Sequence, residues 1–220
     1  MVFLELAAIL ISYLLGSIPF GYLITRLSTG QDILEIGGRK TSGSNVFKNV
    51  GFWQGALSGI CDFLKGALAV WLARYLGLTL PMQALCGVAV ITGNNWSCFL
   101  RFAGGRGIGA FIGALLVLSP QIMLLTLIPL ALLALVWDAA IGTIVSLVTA
   151  VVLTTSNGQM TTIGILPLLS IIPIFVKRLS PLRELSFRDL GLIKNRLVFD
   201  NDQPHLKLRK WRILKRHVKS

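Results

Sequence analysis

The sequence predicts an all-α fold, a polytopic membrane helix bundle of about seven transmembrane helices. Three observations carry that reading. Hydrophobic residues make up 54% of the chain and the mean hydropathy is +0.75, too apolar for an ordinary soluble domain. Apolar runs long enough to cross a bilayer recur from one end of the chain to the other. The stretches between them are short, polar and rich in glycine, proline and basic residues, which is the chemistry of loops.

The first span runs from Val2 to about Leu27, and Pro19 with Gly16 and Ser17 predicts a kink within it. Glu5 stands where a signal peptide would carry positive charge, so this span is read as a retained helix. Ser28 to Val50 is too polar for lipid and is expected to be a loop, with special backbone geometry at Gly37, Gly38 and Gly43. A second span covers Phe52 to Leu76. It contains Asp62 and Lys65 at i,i+3 spacing, on one helix face. Ionisable groups at that depth mark either a functional site or a mutually neutralising structural pair.

The third span follows Pro81 and reaches Phe99, ending in Thr92, Asn94, Asn95 and Ser97. Ile108 to Leu118 is a shorter fourth, stopped by Ser119-Pro120; Gln121 to Trp137 is a fifth; Asp138 marks a turn before the sixth, Ala139 to Thr155. Turn residues Ser156-Asn157-Gly158 precede the seventh, Met160 to Val176. The chain therefore divides into a bundle, 1–176, and a basic tail, 177–220. No internal repeat is visible, which argues against an inverted-repeat transporter.

Charge sets the orientation. Lysine and arginine total 21 against nine acidic residues, and most of the basic residues follow Val176. With the first span ending inside, segment 28–50, loop 101–107, the turn at Asp138 and the tail all face the cytoplasm, and the N-terminus lies outside. The tail interleaves basic residues with Leu, Ile and Trp211. It reads as a segment drawn to an anionic membrane surface, in preference to a nucleic-acid binder.

Between the third and fourth spans lies GNNWSCFLRFAGGRG, Gly93 to Gly107. Gly104, Gly105, Arg106 and Gly107 form either a phosphate cradle of backbone N–H groups backed by the dipole of the next helix, or a plain connector. His205 and His217, the only histidines, lie far down the tail. A histidine base, a serine–histidine triad and a histidine-ligated metal are therefore not expected. Cys61, Cys86 and Cys98 show no metal or disulfide spacing and read as packing residues. What remains is a set of cations, amides and hydroxyls suited to a phosphorylated small molecule.

Taken together, LLGSIPFGYLITRL, GGRKTSGSNVFKNVG, DFLKG, GNNWSCFLRFAGGRG and the later LSP resemble the bacterial acyl-phosphate-dependent glycerol-3-phosphate acyltransferases of the PlsY type. The resemblance covers about Ser12 to Pro120 at nearly constant spacing. It implies a multi-pass enzyme of the bacterial cytoplasmic membrane. Such an enzyme moves a fatty acyl group from acyl-phosphate to glycerol 3-phosphate, forming lysophosphatidic acid for phospholipid synthesis without metal or cofactor. Carried over by position, it implies catalytic roles for Ser44, Asn45, Lys48 and Arg106. It implies phosphate contacts from Gly104, Gly105, Arg106, Gly107 and Lys65, with Asp62 and Asn94 in support.

The chain departs from the family pattern at several places. Gly38, Arg39 and Lys40 stand for serine, glycine and asparagine; Lys48 stands for arginine, Arg106 for lysine, Asn94 for histidine and Ser97 for proline. Ala140 falls on a serine, and Leu182 and Leu185 fall on a histidine and an asparagine. Two readings follow: an active acyltransferase with a rebuilt pocket, or a paralogue that binds lipid or phosphate without turnover.

Overall fold

The computed structural model describes residues 1–180 and 189–202, and every described element is helical. Apolar residues form the helices α1 (Val2–Ser17), α2 (Phe20–Thr29), α4 (Phe52–Tyr75), α5 (Leu80–Asn95), α6 (Ile108–Leu118), α7 (Pro120–Val136), α8 (Ala139–Ser156) and α9 (Ile165–Arg178), with α3 (Gly43–Asn49) and α10 (Leu190–Phe199) as short additions. Three stretches are long and apolar enough to cross a membrane, Val2–Thr29, Phe52–Tyr75 and Ala139–Ser156. Leu10, Leu57, Ile60, Leu124, Ile128 and Val152 are exposed on the outside. An exterior of this kind suits hydrocarbon, and the chain is a helical membrane protein.

Helix ends fall where local chemistry puts them. Ser119 caps α7 by accepting the Ile122 N–H, with Pro120 at the first helical position. Asp138 caps α8, its carboxylate accepting from the Ala140 N–H at 2.6 Å. Several expected boundaries shift. Pro19 does more than kink the first span: the helix stops at Ser17 and restarts at Phe20, because proline has no N–H to continue the ladder. The polar segment 28–50 is not all loop, since Gly43–Asn49 forms α3. The helix expected as the third span ends at Asn95, and the one expected as the seventh begins at Ile165 after a run of turns.

Two pairs of helices pack almost backbone to backbone, and they flank the loop between α5 and α6. A Cβ at Gly16 would collide with the Val90 carbonyl and one at Gly93 with the Tyr13 carbonyl, which locks α1 to α5. Likewise Gly66 faces the Ala110 carbonyl and Gly113 the Phe63 carbonyl, locking α4 to α6. Small residues permit such contact where no hydrophobic force drives helices together in lipid. The core between these pairs and α8–α9 contains Ile91, Phe111, Leu115, Leu147, Leu166 and Ile174, all essentially inaccessible. The C-terminal end of α5 and the N-terminal end of α6 are thus held rigidly side by side.

Candidate active site

The loop joining α5 to α6 is fastened from three sides. Tyr13 Oη donates to the Trp96 carbonyl at 2.8 Å, and Ser97 Oγ donates to the Ser17 carbonyl, tying the loop to α1. From α9, Lys177 Nζ donates to the Phe102 carbonyl at 3.1 Å and lies 5.5 Å from the Trp96 ring centre. The third attachment is the decisive one for the site. The Thr41 N–H donates to the Gly104 carbonyl at 3.3 Å, so the polar segment before α3 and the glycine loop meet.

Within the loop the glycines have separate tasks. Gly104 presses on the Asn94 and Asn95 carbonyls, where a side chain has no room. Gly107 adopts φ +73° and opens α6, and no side chain caps the helix by a hydrogen bond. The Gly105 N–H donates to the Asn94 carbonyl at 2.9 Å. That N–H is thus engaged within the protein. Asn94 is buried with its side-chain amide also beside Gly105, so it supports the loop from beneath.

Arg106 is nearly buried, and its guanidinium turns back toward the bundle end. It donates through Nε to Asp200 at 2.7 Å and through a terminal nitrogen to the Lys177 carbonyl. Lys40 reaches the same carboxylate at 2.6 Å. Arg178 lies behind them, donating to the Ala140 and Leu197 carbonyls at 2.8 and 2.6 Å. Burial and then the charge of Arg106 pull the Lys40 ammonium down to about 8, against the opposing pull of Asp200. Burial alone would push the Asp200 carboxyl up, but Arg106 and Lys40 more than offset it and hold it below the ordinary carboxylate value.

The remaining expected residues take varied positions. Asn45 is buried, and its side chain braces the loop that carries Lys40. Its amide donates to the Lys40 and Ile36 carbonyls at 2.9 and 3.2 Å, while its oxygen accepts from the Gly38 N–H at 2.9 Å. Ser44 and Lys48 are exposed on α3, with the Ser44 hydroxyl 3.3 Å from that of Ser42. Lys65, expected at a substrate phosphate, has its ammonium taken up by Asp62 at 2.8 Å and by the Ile18 carbonyl at 3.0 Å. It therefore stitches α4 to the break between α1 and α2. Leu182, Leu185, His205, Trp211 and His217 lie outside the described residues.

The sequence reading missed Asp200 and the parts played by Thr41, Lys177 and Arg178. Asp200 and Asp202 are isolated acids in an otherwise basic stretch, the one signal that could have drawn attention to them. Among the described residues, no group of three or more His, Cys, Asp or Glu is placed to hold a metal ion.

The glycerol-3-phosphate acyltransferase family model matches residues 6–185, a span that contains both loops, Arg106 and the Asp62–Lys65 pair. The chain belongs to that family. Glycerol-3-phosphate acyltransferase 1 of Dehalococcoides mccartyi is 43% identical over 134 residues, covering 56% of this chain and 64% of the relative. Glycerol-3-phosphate acyltransferase 1 of Deinococcus radiodurans is 41% identical over 123 residues, covering 56% of this chain and 62% of the relative. The chain thus spans less than two-thirds of the length of these curated relatives. Among solved structures, the integral membrane glycerol 3-phosphate acyltransferase PlsY in its glycerol 3-phosphate form superposes with a TM-score of 0.71 at 26% identity, covering 83% of this chain and 95% of that one. Its lysophosphatidic acid form gives 0.69 at 25% identity. The family's fold is therefore present over nearly the whole length of the solved relative.

Proposed function

We propose that this chain is an integral membrane acyltransferase that moves a fatty acyl group from acyl-phosphate to glycerol 3-phosphate, giving lysophosphatidic acid for phospholipid synthesis. The observation that carries the reading is the Thr41–Gly104 hydrogen bond, which brings the two loops of the family's motif together beside Arg106. In the reaction the acceptor hydroxyl oxygen attacks the acyl carbonyl carbon. The bond from that carbon to the phosphate oxygen breaks, and the hydroxyl proton ends on the released phosphate.

The donor is an activated anhydride, so the protein's work is to bring hydroxyl and carbonyl together and stabilise the charge that develops. Arg106 and the uncapped end of α6 are proposed to hold a phosphate, with Gly104, Gly105 and Gly107 shaping the backbone around it. Asn45 and Asn94 position the two loops. Ser44 and Lys48 are proposed to meet substrate at the exposed face of α3. Asp62 and Lys65 support the floor. Purified protein in detergent tests the reading when offered acyl-phosphate or the corresponding acyl-coenzyme A with glycerol 3-phosphate. Product from acyl-phosphate alone is expected. Product only from the thioester would replace the donor, and none from either would favour a non-catalytic paralogue.

The site is proposed to open on the cytoplasmic face of a bacterial plasma membrane, with the N-terminus outside. Lys40, Arg106, Lys177 and Arg178 gather at one end of the bundle, and basic residues favour the cytoplasmic side. Reporter fusions after Lys48 and after Ser220 should both register as internal. An external signal from either contradicts a single cytoplasmic face.

A further inference from the structure

Residue 200 lies 94 positions beyond Arg106, yet its carboxylate sits on the cation proposed to receive substrate phosphate. The segment bearing it is placed by polar contacts. Arg178 donates to the Leu197 carbonyl at 2.6 Å, a terminal nitrogen of Arg196 donates to the Leu179 carbonyl at 3.3 Å, and Lys40 Nζ donates to the Asp200 carbonyl at 2.9 Å. Asp200 follows α10 as its C-cap in the left-handed conformation, φ 52°, an uncommon backbone for a non-glycine residue. There one carboxylate oxygen takes Arg106 Nε at 2.7 Å and the other takes Lys40 Nζ at 2.6 Å. Two oxygens of one anion shared between two cations is the pattern a phosphate would also adopt.

We propose that Asp200 is a built-in occupant of the anion position at Arg106 and Lys40, and that a phosphate-bearing ligand binds there by displacing it. The inference rests on the proposed function only for the identity of that ligand as a phosphomonoester or acyl-phosphate. Three features make displacement feasible. A phosphate carries more charge and more acceptor oxygens than a carboxylate, so it competes for the same donors. Arg196 is the one fully buried residue of α10, the apolar residues after Leu190 are half-buried and none belongs to the hydrophobic core clusters, so the segment can withdraw without opening the core. Arg106 and Lys40 are held from behind by the Lys177 carbonyl and by the loop that Asn45 braces, so the cations stay in place when the anion leaves.

Such an occupant lowers apparent phosphate affinity by the fraction of molecules in which the site is closed. If Asp200 only oriented Arg106, its removal would weaken phosphate binding, so the two accounts predict opposite signs. The test is calorimetric titration of inorganic phosphate into the purified full chain, using wild type, Asp200→Asn, Asp200→Ala and Glu35→Gln. The last removes an exposed acid elsewhere in the polar segment and controls for net charge. Both Asp200 variants should bind phosphate about tenfold tighter than wild type, with Glu35→Gln unchanged. Equal or weaker binding in Asp200→Asn, with its unfolding temperature preserved, overturns the proposal; Asp200→Asn alone decides should the alanine variant not fold. Lysophosphatidic acid formation is followed on the same samples. Tighter phosphate binding without product from any sample retains the occupant and removes the acyltransferase reading. Product with unchanged phosphate affinity does the reverse.

Discussion

Replacing Arg106 by alanine is expected to slow lysophosphatidic acid formation by about a hundredfold or more, the loss typical of removing a donor that stabilises transition-state charge. Arg106 stands in the glycine loop that bonds to Thr41, immediately before the Gly107 that opens α6. Its donors are directed toward one anionic position, now filled by Asp200, and toward the Lys177 carbonyl. Arg106→Lys should retain much of the activity, because a phosphate contact needs a cation there more than a fork, although a compact ammonium lacks the spread of a guanidinium's donors. Gly105→Val should be as damaging as the alanine change. A Cβ there would lie 2.9 Å from the buried Asn94 amide nitrogen, and valine's two further methyls would displace that side chain from beneath the loop. Initial rates on folded, monodisperse protein check all three; an Arg106→Ala rate equal to wild type would make the loop a connector.

The other large effect is on stability. Asp62 and Lys65 form a 2.8 Å ion pair in which the side chains are 11% and 2% exposed, so neither charge has water to fall back on. Asp62→Ala leaves the ammonium buried without its counter-ion and should cost about 3–5 kcal/mol. The double change Asp62→Ala, Lys65→Met removes both charges and should cost less, even though it also removes the 3.0 Å contact that Lys65 makes with the Ile18 carbonyl at the helix break. Unfolding temperatures in detergent should therefore rank wild type above the double variant and the double variant above Asp62→Ala. Equal losses in the two variants would show that the pair is hydrated or apart.

Much of the bundle was legible because its signals are local. Apolar runs marked the long helices, Ser119-Pro120 and Asp138 marked two of the breaks between them, and Pro19 marked a disturbance in the first span. The same locality explains what was lost. α3 has seven residues, too few for a helical period to emerge from a glycine-rich polar stretch. The glycines of α1, α4, α5 and α6 could be seen as small, but not which carbonyl each one admits. In the site, Arg106 stood out by its glycine-rich loop, and Asn94 and Asn95 by the polar cluster before it. Asp200 did not, since a lone acid in a basic tail shows its partners only when the chain folds back over 94 residues. Asn45 was marked for chemistry by resemblance, and its buried bracing role follows from hydrogen bonds that no spacing reveals.

A structure of the protein with glycerol 3-phosphate bound tests the central claim most directly, that the two joined loops make one phosphate site around Arg106. The account predicts phosphate oxygens within hydrogen-bonding distance of the Arg106 guanidinium and beside the first turn of α6, with the Thr41–Gly104 bond intact and the Asp200 carboxylate moved away. Phosphate bound elsewhere on the bundle, with Arg106 still paired to Asp200, would contradict it.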